Sequence, residues 1–320
     1  MGSITGNREN YCGNPIFARQ NNNLMISLKG IFPPLPTSFD SGEALAPEKI
    51  RENIRSLSRF DLAGFLILGS NGELVMLTEE EKTQAFHAAR EAIPADRIML
   101  AGTGGQSTTE TIRLTGEAAR AGADGVLVLN PFYYKGLMTR QALVAHYHAV
   151  AEASEIPVII YNMPGNSGMD MDADTILAIS DHPNIVGLKD SGGNVVKLGA
   201  IAGRAKPGFQ VLAGSAGFLL PALAMGAVGG ILALANIAPA QCLDIFKAYH
   251  NKDLGAARSL QQQMIPVNAA VTSKWGVPAL KAAMDHIGLY GGPARRPILP
   301  LEEETRKQLI ALLEANAIRL

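Results

Sequence analysis

The sequence predicts an α/β fold, a (β/α)8 barrel of the TIM type with a C-terminal helical extension. Three observations predict it. Short apolar runs recur along the chain, each is followed by a stretch of helical periodicity, and the recurrence stops near residue 250.

The apolar or β-branched runs lie at 31–32, 64–68, 97–101, 125–129, 157–161, 185–189, 209–213 and 229–234. Continuous apolar runs of this kind suit parallel strands covered on both faces. Helical patterns stand at 47–60, 78–93, 108–121, 139–154 and 238–249. Thr78-Glu79-Glu80-Glu81 has the form of a capping box, with Thr78 at the N-cap and Glu81 at the third helical position. Eight such units in about 210 residues match a barrel of ~250 residues. The longest apolar stretch, 218–238, is broken by Pro221, Gly226, Gly229 and Gly230. It reads as a buried helix, a turn and a buried strand, and not as a membrane span. A doubly wound open sheet is the competing fold, but it would place a glycine fingerprint after the first strand. Pro33-Pro34-Leu35-Pro36-Thr37 stands there instead, and Gly102-Thr103-Gly104-Gly105 lacks the spacing.

The chain therefore divides into a flexible tail over 1–27, a barrel over 28–250 and an all-helical extension over 251–320. Helices are expected at 252–264, 278–286 and 301–317, packed on the barrel or on a neighbouring subunit. The tail is rich in Asn and Gly. It has no apolar core of a secretory signal, and Gly6 stands where a myristoylation pattern wants Ser or Thr. Arg8 and Arg19 flank Glu9, weak support for a mitochondrial presequence, so the expected location is intracellular, cytoplasmic ahead of mitochondrial.

Of the 320 residues, 47 % are hydrophobic and 18 % charged, and the formal net charge is −1. The first figure supports a large core. The last two give no basis for a nucleic-acid surface, which needs clustered Lys and Arg. Cys12 and Cys242 read as free thiols in a reducing compartment, with a disulfide as the alternative; two such distant cysteines make no zinc site.

Barrel chemistry sits at the C-terminal ends of the strands. Lys189 closes the apolar run Ile185-Val186-Gly187-Leu188. Burial by the barrel walls disfavours the ammonium and suits an amine nucleophile. The alternative is a lysine that snorkels out or pairs with Asp190. Tyr161 ends the preceding strand, and adjacent strands lie ~4.8 Å apart, so the two side chains can meet. A phenol there can move protons; a core tyrosine is the other reading. Ser70 and Asn71, in the turn Gly69-Ser70-Asn71-Gly72-Glu73, offer a hydroxyl, an amide and backbone N–H groups to a carboxylate. An ordinary glycine turn would look the same. Glu73 caps the next helix or touches substrate. None of the six histidines stands at a strand end, and His146 and His148, two apart, do not share a helix face. Metal-dependent chemistry is disfavoured, and no cofactor is expected.

Three motifs together carry a resemblance: Gly69-Ser70-Asn71-Gly72-Glu73, Tyr161-Asn162-Met163-Pro164 and Gly187-Leu188-Lys189-Asp190-Ser191. From about Gly30 onward the chain resembles the dihydrodipicolinate synthase / N-acetylneuraminate lyase superfamily of class I aldolases. The resemblance implies a Schiff base with pyruvate on Lys189 and a proton shuttle at Tyr161. It also implies carboxylate binding by Ser70 and Asn71, with Ser191 and Gly214 in the substrate site. Tyr133, or its neighbour Tyr134, becomes a relay tyrosine donated across an interface of a homotetramer. The partner is a small 2-oxo acid, with no nucleic acid or membrane. The synthase branch carries an arginine soon after Tyr-Asn-x-Pro; here Asn166 takes that place. Lys189-Asp190-Ser191-Gly192-Gly193, 212–217 and Tyr290-Gly291-Gly292-Pro293 look like the 4-hydroxy-2-oxoglutarate aldolase branch. A 3-deoxy-hexulosonate aldolase, a dihydrodipicolinate synthase and a non-catalytic barrel that binds a 2-oxo acid are the alternatives.

Overall fold

A computed structural model describes residues 17–20 and 23–320. Eight parallel strands alternate with helices: β1 (Gly30–Phe32), β2 (Gly64–Ile67), β3 (Ile98–Gly102), β4 (Gly125–Leu129), β5 (Val158–Asn162), β6 (Ile185–Asp190), β7 (Gln210–Ala213) and β8 (Gly229–Ile231). From β2 to β8 each strand pairs with its neighbour in sequence, and β8 pairs with β1. Between β1 and β2 the ladder is replaced by three bonds. Ala63 N–H donates to the Ile31 carbonyl at 3.0 Å, Leu66 N–H to Pro33 at 3.0 Å and Leu35 N–H to Leu66 at 2.9 Å. The stretch after β1 thus closes the barrel: Pro33 lacks a donor but supplies the carbonyl that Leu66 uses, while the Pro34 carbonyl accepts from Asn236 Nδ2 at 3.0 Å. The TIM barrel expected from the sequence is the fold found.

Strand side chains alternate between two apolar layers. Phe32, Leu66, Leu100, Leu127, Ile159, Tyr161, Leu212 and Ile231 fill the barrel. Ile31, Phe65, Met99, Val126, Ile160, Leu188 and Val211 face the helices. Those helices are α1 (Pro47–Leu57), α2 (Glu79–Ala92), α3 (Thr108–Arg120), α4 (Arg140–Ala153), α5 (Ala173–Ser180), α6 (Val195–Arg204), α7 (Leu219–Ala224) and α8 (Pro239–His250). The capping box at Thr78 is present: Glu81 N–H donates to Thr78 Oγ1 at 3.3 Å, and Thr78 N–H donates to Glu81 Oε2 at 2.9 Å. The stretch 218–238 resolves into α7, a turn at Gly226 (φ 100°) and β8.

Part of the stretch 1–27, read as a flexible tail, carries regular structure. Phe17–Gln20 pairs antiparallel with Asn23–Ile26. Ile26 and Leu28 are buried under the barrel interior. Gln210 fixes them there: Leu28 N–H donates to its Oε1 at 2.7 Å, and its Nε2 donates to the Ile26 carbonyl at 2.8 Å. Closing the barrel floor is the physical reason this stretch orders. Cys12 and the readings made for residues 1–16, 21 and 22 lie outside the described residues. Cys242 is buried on α8 as a free thiol, and burial raises its pKa.

Beyond α8 come α9 (Leu254–Ala269), a π-helical turn (Ala270–Lys274), α10 (Gly276–His286) and α11 (Glu303–Ala315). They pack on the barrel. Gln261 Nε2 donates to the Ala216 carbonyl at 2.7 Å, and Tyr290 OH donates to Phe39 at 2.7 Å. No helix among the described residues is long and apolar enough to cross a membrane.

Candidate active site

The site forms where β2, β5 and β6 end. Tyr161 and Lys189 are direct partners in the β5–β6 register, so both side chains point into the barrel. Lys189 is 4 % exposed. Its Nζ lies 4.2 Å from the centre of the Tyr161 ring. Among the described residues no carboxylate stands within ion-pairing distance of it. The Tyr161 hydroxyl lies 3.2 Å from Ser70 Oγ, a hydrogen bond in which either can donate. Ser70, Tyr161 and Lys189 therefore form one chain of contacts.

Asp190 does not quench Lys189, because alternation turns it to the other face of β6. It is fully buried and saturated. Lys197 Nζ lies 2.9 Å from Oδ2, Asn162 Nδ2 donates to Oδ2 at 2.7 Å, and Gly192 N–H donates to Oδ1 at 2.8 Å. Lys197 also pairs with Asp170, and Asn162 donates to Asp170 at 2.8 Å. Burial raises the Asp170 pKa, but these bonds outweigh it and hold the carboxyl below its usual range. This cluster locks the ends of β5 and β6 behind the reactive side chains.

Ser70–Gly72 is a single 3-10 turn. The next residue, Glu73, sits in the left-handed region (φ 54°), a strained conformation for glutamate. It is held by Lys281 Nζ at 2.6 Å and by the Arg295 N–H at 2.8 Å, both from the C-terminal extension. Lys281 is 1 % exposed, and burial lowers its pKa although Glu73 opposes the shift. Arg295 adds a two-pronged bond to Glu81 at 2.6 and 2.7 Å. Asn71 keeps its side-chain amide nitrogen buried without a protein partner, and it is not a wall residue of the cavity beside Tyr161.

A cavity of about 200 Å³ opens beside Tyr161, at the small end of ligand sites. Its walls are Leu68, Gly69, Ser70, Glu73, Leu74 and Val75 after β2, with Gly102 and Gly104 after β3. Leu127, Leu129 and Phe132 from β4 and Tyr161 and Asn166 from β5 complete them. Lys189 is not itself a wall residue; it stands behind the Tyr161 ring. Ser191 and Gly214 lie outside the cavity wall, just past the ends of β6 and β7, where the Gly214 N–H donates to the Asp190 carbonyl at 2.8 Å. Ser191 Oγ faces the Gly214 carbonyl at 3.5 Å. Any side chain at Gly214 would overlap Ser191 and the Asp190 carbonyl, so only glycine fits this crossing. Tyr133 and Tyr134 are 74 % and 68 % exposed and stack edge to face, 5.0 Å apart; neither reaches its own barrel's cavity. Lys281 and Lys197 were not placed in the site by sequence reasoning; Glu73 was read as a helix cap or a substrate contact, and Asp190 as a possible partner of Lys189. A lone lysine inside the apolar helix 276–286 was the one available signal for Lys281.

The profile of the Dihydrodipicolinate synthetase family matches residues 27–316. A probable mitochondrial 4-hydroxy-2-oxoglutarate aldolase of Emericella nidulans is 39 % identical, over 86 % of this chain and 91 % of that one. A 4-hydroxy-tetrahydrodipicolinate synthase of Methanoculleus marisnigri is 34 % identical, over 89 % and 98 %. Among solved structures, YagE of E. coli K12, a dihydrodipicolinic acid synthase family protein crystallised with pyruvate, superposes with a TM-score of 0.86 at 30 % identity, covering 91 % of this chain and 99 % of that one. The fold, the matched length and the strand-end site agree: this chain belongs to the dihydrodipicolinate synthetase family and is a lyase of that family.

Proposed function

We propose that this enzyme is a class I aldolase that cleaves 4-hydroxy-2-oxoglutarate to pyruvate and glyoxylate through a Schiff base on Lys189. The observation that carries it is the environment of Lys189: buried, without a carboxylate partner, and against the ring of Tyr161.

Ser70, Asn71 and the turn's N–H groups hold the carboxylate of the 2-oxo acid. The Lys189 amine adds to the 2-oxo carbon, Tyr161 passes protons to the carbinolamine oxygen, and water leaves to give the iminium. Tyr161, relayed through Ser70, then takes the proton of the 4-hydroxyl. The bond between C3 and C4 breaks, its electron pair flows into the iminium as an enamine, and the aldehyde departs. Protonation and hydrolysis release pyruvate and the free amine. The exposed Tyr133, or Tyr134, completes the relay of a neighbouring copy, in a tetramer whose mass sedimentation would measure. Ser191 and Gly214 border the substrate beside Lys189. The compartment is intracellular, cytoplasmic or, as the Emericella relative's name says of that protein, mitochondrial.

Asn166 departs from the arginine of the synthase branch, and its one neutral hydrogen bond is what the glyoxylate carboxylate would meet. It lines the cavity where an arginine would clamp a second carboxylate in two-pronged fashion. A 3-deoxy-hexulosonate aldolase uses the same half-reaction and is the second reading, because a neutral amide also suits a sugar hydroxyl. Borohydride reduction with pyruvate, followed by peptide mass mapping, tests the proposal. A three-carbon adduct on Lys189 is expected; an adduct on another lysine, or none, would falsify it. Side-by-side cleavage of 4-hydroxy-2-oxoglutarate and 2-keto-3-deoxy-hexonates, with aspartate semialdehyde condensation as the third arm, fixes the branch.

A further inference from the structure

Among the described residues the cavity wall carries no free charge of either sign. Leu74, Val75, Leu129 and Phe132 form its outer part, and none of the described wall residues is a cation. Glu73 is the one carboxylate there, and it is consumed by Lys281 at 2.6 Å and the Arg295 N–H at 2.8 Å. A second carboxylate finds at most the neutral amide of Asn166. An alkyl group finds apolar surface to bury.

Resting on the Schiff-base reading of Lys189, we infer a second activity at this site: reversible aldol addition of pyruvate to short, uncharged alkyl aldehydes. The products are 4-hydroxy-2-oxo acids with an apolar tail. The step is redox-neutral. The enamine carbon bonds to the aldehyde carbon, the carbonyl π pair moves to oxygen, and that oxygen takes the Tyr161 proton. Water then hydrolyses the iminium and frees Lys189. Each methylene buried against the wall strengthens binding of the transition state by ~0.8 kcal/mol, or about fourfold in kcat/KM. The small volume of the cavity ends the gain after a few carbons. A polar aldehyde of equal length, such as glyceraldehyde, loses water contacts that this wall does not replace.

The test is the full-length enzyme with pyruvate and ethanal, propanal, butanal and pentanal, beside glyceraldehyde and glyoxylate, with borohydride trapping run in parallel. A rise of about fourfold per methylene from ethanal to butanal, with butanal above glyceraldehyde, is expected. Val75 is 72 % exposed at the cavity mouth, so Val75→Arg is tolerated by the fold. It should flatten the alkyl series and raise kcat/KM for glyoxylate. A flat or falling wild-type series with the adduct still on Lys189 overturns this inference alone. An alkyl series unchanged by Val75→Arg also overturns it. Failure to trap pyruvate on Lys189 overturns the Schiff-base reading and this inference with it.

Discussion

Lys189 and Lys281 are both buried, 4 % and 1 % exposed, in two regions that treat a buried amine in opposite ways. At the seam between barrel and extension, Lys281 is answered by Glu73 and by the Pro293 carbonyl at 2.7 Å, and it lies over the Phe39 ring. Lys197, behind β6, is answered by Asp170 and Asp190. At the barrel mouth, Lys189 meets an aromatic ring and no described carboxylate. All three are buried, but only the first two face a countercharge, and at Lys281 Glu73 opposes the burial that lowers the pKa without cancelling it. A countercharge ties a lysine into the scaffold; Lys189 has no such tie among the described residues. The contrast holds along a single strand, where Asp190, next to Lys189, is turned outward and fully occupied.

The sharpest way to break the comparison is Lys189→Arg. Guanidinium keeps a positive charge at similar length but is not nucleophilic. Turnover should fall by at least about 10³-fold, as for other residues of a catalytic unit. The thermal midpoint should move little, because no ion pair is lost. A variant that unfolds would show Lys189 to be structural, like Lys281. The next largest effect is Tyr161→Phe, which removes one hydroxyl and its 3.2 Å contact to Ser70. A loss of about 10²–10⁴-fold in kcat is expected for a missing proton carrier. Unchanged kcat would make Tyr161 a core residue and leave the proton to another group.

These two residues were legible in the sequence for a simple reason. A strand alternates strictly, so the last residues of an apolar run are placed at the barrel mouth by counting, and Lys189 and Tyr161 follow. Ser70 was legible from its glycine-bracketed turn after β2, where it meets the Tyr161 hydroxyl. The partners of the structural lysines were not. Glu73 meets Lys281 only because the extension folds back across the barrel, and no local pattern encodes that return. Asp190 was read as a possible partner of Lys189, whereas its partner is Lys197, one helix further on. The eight strands were found within a few residues, but β8 is shorter than its apolar run because Ala233–Asn236 turns into a 3-10 helix. The pairing of 17–20 with 23–26 was missed, since Asn-rich composition says nothing of Ile26 and Leu28 sealing the floor.

Lys281→Met sharpens the other side of the comparison. It leaves the Glu73 carboxylate buried without its countercharge, a loss of about 3–5 kcal/mol when one partner of a buried pair is removed. Adding Glu73→Gln should restore most of that stability, because the neutral pair no longer carries an isolated charge. The single variant should also raise KM more than it lowers kcat, since Glu73 adjoins the Ser70–Asn71 turn. Chemical denaturation and steady-state kinetics on the single and double variants check both. Equal stability of single and double variants would mean that the ion pair is incidental.

The smallest effect concerns His146, a buried basic group that also lacks a carboxylate. Its Nδ1 lies 2.9 Å from Thr108 Oγ1, while its Nε2 is buried without a partner. Burial pulls its pKa from 6.5 down to about 4, so this imidazole meets the same penalty by staying neutral. The folded pKa is depressed, so between pH 6.5 and 4 the unfolded chain binds a proton that the folded chain refuses. The stability tied to His146 is therefore complete above about pH 6.5 and declines as pH falls through that window. At pH 5 the loss should be about 2 kcal/mol relative to pH 7. His146→Phe keeps the ring and removes the titration. It should start less stable at pH 7, having lost the Thr108 bond, and then lose about 2 kcal/mol less than the wild type on going to pH 5. Denaturation midpoints of both proteins at the two pH values measure the difference. Parallel pH dependence in the two would show that His146 is protonated in the folded protein, and that burial without a countercharge does not by itself decide the state of a basic group here.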